Sequence, residues 1–247
     1  QSPFVVKNLG TPRDSIKLSE CIFPYIEFKT KPFQALHKWL MSQTINSTSG
    51  AFSNLELDKV KELLPYVDKS LIKKTNNTLE KINLVVQGNP VIYGTGGLHH
   101  SCSGKYVSDN ERIILDIDVG SLYPSIGVKN GLYPEHLGPI FAEIYDKNIV
   151  SVRLAEKEKP KKERDMVIME GYKLAANGSY GKSGEESSFL YDPKYTMTTT
   201  INGQLLLSML LEEILINSES ILLQGNTDGL TFHVLRTELD KVLDICK

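Results

Sequence analysis

The sequence predicts an α+β fold: an antiparallel sheet with packed helices and a helical hairpin inserted into it. Three observations lead there. Short apolar runs bounded by turn residues read as strands at 82–86, 91–93, 112–118, 221–223 and 230–234. Residues 138–158 and 163–180 look helical and are joined by a charged turn around Pro160, the pattern of two antiparallel helices. Residues 199–217 form a longer, apolar-rich helix.

Composition narrows the class. A chain of 247 residues can bury a core, and 40% hydrophobic with 23% charged residues describes an ordinary globular protein. A net charge of −2 does not argue for an extended phosphate-binding surface, although a local basic face remains open. Cys21, Cys102 and Cys246 are odd in number and far apart, with no metal or redox spacing. Reduced thiols and a cytoplasmic location are the expectation. No apolar run reaches the roughly 18–20 residues of a membrane span. The richest, 205–211, is broken by Glu212 and Glu213 and reads as a buried helix, so no membrane is expected.

The elements follow in order. A turn signal stands at Asn8-Leu9-Gly10, and Phe33 to Met41 has helical spacing. Leu55 to Leu71 reads as an amphipathic helix interrupted by Pro65. Two strands flank a turn at Gly88-Asn89-Pro90. Gly94-Thr95-Gly96-Gly97 has two readings, a tight turn between strands or a loop touching a nucleic-acid backbone. His99 and His100 are adjacent, so on a strand they face opposite ways and make a poor metal pair. Ile113 to Ile117 reads as a buried strand with Asp118 where it runs out. Residues 237–246 begin a last helix.

Two acids carry the chemistry. Asp118 ends one strand, and Asp228 sits at the tip of the hairpin made by 221–234. On neighbouring strands they would converge, and Mg²⁺ takes one or two carboxylates plus waters and phosphates. Two such ions about 3.5–4 Å apart stabilise the attacking and leaving oxygens of a phosphoryl transfer. Alone, an Asp before Gly is equally a turn former. Lys173, Asn177 and Tyr180 share one helical face, and Arg153 and Lys157 share another. Together these could clamp a triphosphate. Glu156, Glu158, Glu163 and Asp165 are interleaved, so a solvated charged surface is the other reading. Gly181 is expected to end the second helix.

Three blocks appear in order: Asp118-Val119-Gly120-Ser121-Leu122-Tyr123-Pro124-Ser125-Ile126, then Lys173 to Gly181, then Gln224-Gly225-Asn226-Thr227-Asp228-Gly229. Over roughly residues 90–235 this resembles the three polymerase motifs of family B DNA polymerases, in particular phage-type members. The resemblance implies a polymerase palm sheet with a fingers hairpin. It divides the chain into a lead-in (1–92), palm with the first motif (93–140), fingers (141–181) and palm with the third motif (182–247). Thumb and proofreading exonuclease are absent from these residues.

The implied activity is DNA-directed DNA synthesis on primer-template DNA, with dNTPs and two Mg²⁺ ions (or Mn²⁺). Asp118, Asp228 and the carbonyl of Val119 would ligate the metals. Ser121 and Leu122 would face the triphosphate through backbone amides, and Arg153, Lys157 and Lys173 would bind its oxygens. Tyr123 would pack against the deoxyribose, and Asn177 would order the region. Tyr180 with Gly181 would abut the nascent base pair. Gly96, Gly97 and Thr227 are the implied DNA contacts. The remainder of a split or truncated polymerase is an implied partner.

The third motif departs from the family pattern: Gln224, Asn226 and Gly229 stand where Tyr, Asp and Ser are usual, and Gly178 replaces a common Ser in the second. An inactive nucleotide- or nucleic-acid-binding fragment is therefore an alternative. A two-metal nuclease is another, though nothing in it requires Tyr123 or the Lys173–Gly181 block.

Overall fold

Alternating apolar residues and tight turns build an eight-stranded sheet in the computed structural model, which describes residues 10–247. Asn8 and Leu9 of the expected first turn lie outside the described residues. The strands are β1 (Ser53–Glu56), β2 (Ile72–Lys73), β3 (Thr78–Val86), β4 (Asn89–Tyr93), β5 (Leu98–Ser101), β6 (Arg112–Asp118), β7 (Ile221–Asn226) and β8 (Gly229–Leu235). Their order is β1-β3-β4-β5-β7-β8-β6, with β2 also paired to β3. The pairings between these strands are antiparallel. The chain is thus α+β, as its pattern predicts.

Local chemistry explains the register. Gln87 and Gly88 take φ of 50° and 82° between β3 and β4, as a two-residue hairpin turn requires. The turn therefore falls before the expected Gly88-Asn89-Pro90, and Asn89 and Pro90 are already paired with Val86 and Val85. β6 is not a buried strand. Among the described residues it is the sheet edge, paired only with β8, and Ile114, Asp116 and Asp118 are exposed. The helix expected over 55–71 does not form. Its start is taken by pairing with β3, Pro65 disfavours a helix interior, and only short 3₁₀ turns at Leu57–Val60 and Lys69–Leu71 remain.

The chain divides into two units. One comprises the residues up to Ile16 with Asn46–Thr48 and Ser121–Thr200; the other comprises Lys17–Ile45, Ser49–Gly120 and Ile201–Lys247.

The sheet unit contains α1 (Lys31–Ser42). The N-terminus of α1 is capped from a distance: buried Glu212 accepts from the backbone N–H groups of Lys29 and Thr30, each at 2.8 Å.

In the helical unit, α2 (Leu122–Lys129), α3 (Pro139–Tyr145), α4 (Ser151–Glu158) and α5 (Met166–Lys182) pack around Tyr145, Val150 and Ala176. A π-turn at Asp146–Val150 joins α3 to α4 where one helix was expected. The Tyr145 hydroxyl donates to the Ala176 carbonyl at 2.8 Å. Gly181 does not end α5. Ser183 caps it, its N–H and hydroxyl both donating to the Tyr180 carbonyl at 3.0 and 2.5 Å.

The next helix, α6 (Pro193–Asn217), is longer than its pattern suggested. Among the described residues it is the one helix long and apolar enough to cross a membrane, and 67% of its most apolar window is buried inside the protein. α7 (Leu239–Ile245) follows the sheet.

Candidate active site

The hairpin β7–β8 and the edge strand β6 bring the two predicted acids together. Asp118 pairs across the ladder with Gly229, the residue after Asp228. The Val119 N–H donates to the Asp228 carbonyl at 2.9 Å, so the two acid-bearing turns are joined backbone to backbone. Both side chains line one open cleft of about 350 Å³ with Asp116, Gln224, Asn226, Gly229 and Thr231.

Among the described residues the lining of the cleft is acidic and includes no lysine or arginine. Burial, with the neighbouring Asp118 charge added, raises the Asp228 carboxyl above its ordinary pKa. Like charge left uncompensated in this way favours a bound cation. Among the described residues no three such side chains close into a metal cluster. The residues that could hold a divalent cation here are Asp118 and Asp228, with Asp116 on the same lining, and such an ion would complete its shell with waters and phosphate.

Asp116 was not anticipated. It lies two residues before Asp118 on the same strand face and accepts from the Thr231 hydroxyl at 2.8 Å. The period-two alternation of β6 was the signal that could have found it.

In the helical unit three of the triphosphate candidates, Ser121, Leu122 and Arg153, meet at the start of α2. Ser121 takes a left-handed conformation (φ 57°, ψ 47°) just before Leu122, which is buried. The Arg153 guanidinium donates through Nη1 to the Ser121 hydroxyl, while its buried Nε has no hydrogen-bond partner among the described residues. Tyr123 stacks at a tilt on Tyr180, ring centroids 4.7 Å apart. The Tyr180 hydroxyl meets that of Thr200. Lys157, Lys173 and Asn177 are exposed, and Lys173 pairs with Glu170 at 3.6 Å. Gly181 is exposed on α5. The hairpin tip is held by buried Glu156, which accepts from Lys159 Nζ and the Asp165 N–H, both at 2.7 Å.

The glycine turn 94–97 joins β4 to β5, closed by the Gly94 N–H donating to the Gly97 carbonyl at 3.1 Å. Gly96 is exposed, whereas Gly97 is buried against Thr227. His99 is exposed and His100 buried, on opposite faces of β5.

One solved structure similar to this chain is a family B DNA polymerase. It comes from the hyperthermophilic archaeon Pyrobaculum calidifontis, with 18% identity and a TM-score of 0.39 over 54% of this chain. The match spans about a fifth of that polymerase, 22% of its length. No protein-family model matches the sequence, and no curated protein matches it.

Proposed function

We propose that this chain is the palm-and-fingers portion of a family B DNA polymerase, in which a primer 3′-hydroxyl on a DNA template attacks the α-phosphate of a dNTP and pyrophosphate leaves. The observation that carries it is the meeting of Asp118 and Asp228. They lie 110 positions apart in two separate motifs, yet both line one cleft, and a backbone hydrogen bond from Val119 to Asp228 joins the turns that carry them.

Asp118 and Asp228 would hold the divalent ions. When bound, two such ions neutralise charge on the attacking and leaving oxygens. The remaining work is positioning. The N–H groups at the start of α2 suit a phosphate, and Arg153 beside Ser121 adds a fixed cation with spare donor capacity. No side chain in either cluster needs to form a covalent bond with substrate. The test is primer extension by the longer polymerase carrying this segment. Unimpaired extension after loss of either acid would overturn the reading.

Tyr123 is the proposed sugar gate, its ring held by stacking on Tyr180. Tyr123→Ala is expected to narrow the preference for deoxyribonucleotides by roughly tenfold or more, because a steric barrier at the 2′ position is removed. The ratio of kcat/KM for a dNTP and its rNTP measures this, and an unchanged ratio removes Tyr123 from the role.

Asn226 also lines the cleft, where the family pattern has an acid. Asn226→Asp is expected to keep or raise extension and to lower the Mg²⁺ concentration for half-maximal rate, since it adds an anionic oxygen donor. A severe loss would show that the amide is tuned to a different geometry.

A further inference from the structure

The turn that carries Asp228 has an improbable residue in it. Asn226 pairs with Gly229, so Thr227 and Asp228 form a two-residue hairpin loop. Thr227 has φ of +31°, a region that β-branched residues avoid and that such turns usually fill with Asn or Gly. Something outside the hairpin must hold it there.

The glycine turn does so. The Thr227 N–H donates to the Leu98 carbonyl at 2.9 Å, extending the β5–β7 ladder into the loop. Gly97 is buried directly beneath Thr227. A Cβ on Gly97 would lie 2.9 Å from Thr227 Cγ2, 3.0 Å from its Oγ1 and 3.1 Å from its Cα. Gly97 also has φ of +156°, which side chains rarely adopt. The glycine turn is itself anchored to α6: the buried Gln204 side chain donates through Nε2 to the Gly94 carbonyl at 2.8 Å. One turn further along α6, the Ser208 hydroxyl bonds that of Tyr93 at 2.9 Å.

We propose that the Gly94–Gly97 turn is a mould for the Thr227–Asp228 loop, with Gly97 a positioning residue that sets where the Asp228 carboxylate stands. This rests on the reading of Asp228 as a metal ligand. It gives the glycine turn a structural task toward the metal that a contact with DNA would not require.

The test is Mn²⁺ binding to the 247-residue chain, followed by electron paramagnetic resonance, alongside Asp228→Ala. Gly97→Ala is expected to weaken Mn²⁺ binding roughly tenfold or more, the range for displaced supporting groups at metal sites. Adding Thr227→Gly removes the clashing Cγ2 and Oγ1 and relaxes the positive φ at residue 227, leaving the approach to the Cα and the φ of residue 97, and should recover part of that loss. Should Gly97→Ala fold, a double variant that binds no better than it overturns the mould; should it fail to fold, the double variant should fold and bind, and a folded double variant that binds no better than Asp228→Ala overturns the mould. Wild-type binding that Asp228→Ala abolishes and Gly97→Ala leaves intact also overturns it, and leaves the metal reading standing. Binding that survives Asp228→Ala, or is absent from the wild type, overturns the metal reading and the mould with it.

Discussion

Asp228→Ala should abolish primer extension by a polymerase built on this segment, with a loss on the order of 10³-fold or more, and Asp118→Ala should do nearly the same. Removing a single preorganised electrostatic group from an active site typically costs about 10²–10³ in rate. Here the lost group would also hold the ions, so the larger end is expected. The two losses should not add, because both acids serve one cleft and removing either already undoes the site. The double variant should therefore extend little worse than either single one.

A structural role for these acids predicts the opposite pattern in stability. The metal-free cleft sets Asp118 against Asp228 with no basic residue lining it. Removing one charge relieves repulsion, so Asp118→Asn should melt no lower than wild type without metal. Added Mg²⁺ or Mn²⁺ should raise the wild-type Tm, as any ligand of the native state does, and should fail to raise that of Asp118→Asn. Falling stability with an unchanged metal response would instead make the pair part of the fold.

The elements legible in the sequence were those whose determinants are local. The apolar run at 112–118, the hairpin at 221–234 and the charged turn between α4 and α5 each fix their structure within a few residues. What escaped depended on partners far along the chain. Leu55 pairs with Leu79 in the ladder, and that pairing overrides the helical spacing of Leu57, Val60, Leu63 and Leu64. The edge position of β6 depends on which strand lies beside it, which an apolar run cannot state. The same holds for the site. Asp118 and Asp228 announce themselves through their motifs. Asp116 needed the strand face, and the task of Gly97 needed Thr227, 130 residues later, to be placed against it. Glu212 shows how a residue can mislead: its charge breaks an apolar run, yet it is buried, because the N-terminus of α1 supplies the donors that make its burial tolerable.

The largest stability effect should come from Asp192, a residue outside every motif. Its carboxylate is 2% exposed and accepts five hydrogen bonds. Two come from the Arg13 guanidinium at 3.2 and 3.4 Å, one from the Glu135 N–H at 2.9 Å, and two from the Lys194 and Tyr195 N–H groups in the first turn of α6 at 3.0 and 3.3 Å. Asp192→Ala leaves Arg13 facing a hole and orphans three backbone donors at once. Breaking a buried ion pair on one side costs about 3–5 kcal/mol, and the lost helix cap falls within the same change. In a chain of this size each kcal/mol moves Tm by roughly 2–4 °C, so a fall of about 10 °C is expected. The loss belongs to the helical unit, where all these groups reside; if the chain melts in two steps, only that unit's transition should move. Glu135 provides the contrast, since it also pairs with Arg13 but its side chain is 68% exposed. Glu135→Ala should cost less than about 1 kcal/mol, because water already screens that pair. Equal losses from the two variants would mean that Arg13, and not the buried carboxylate with its backbone donors, is what the unit depends on.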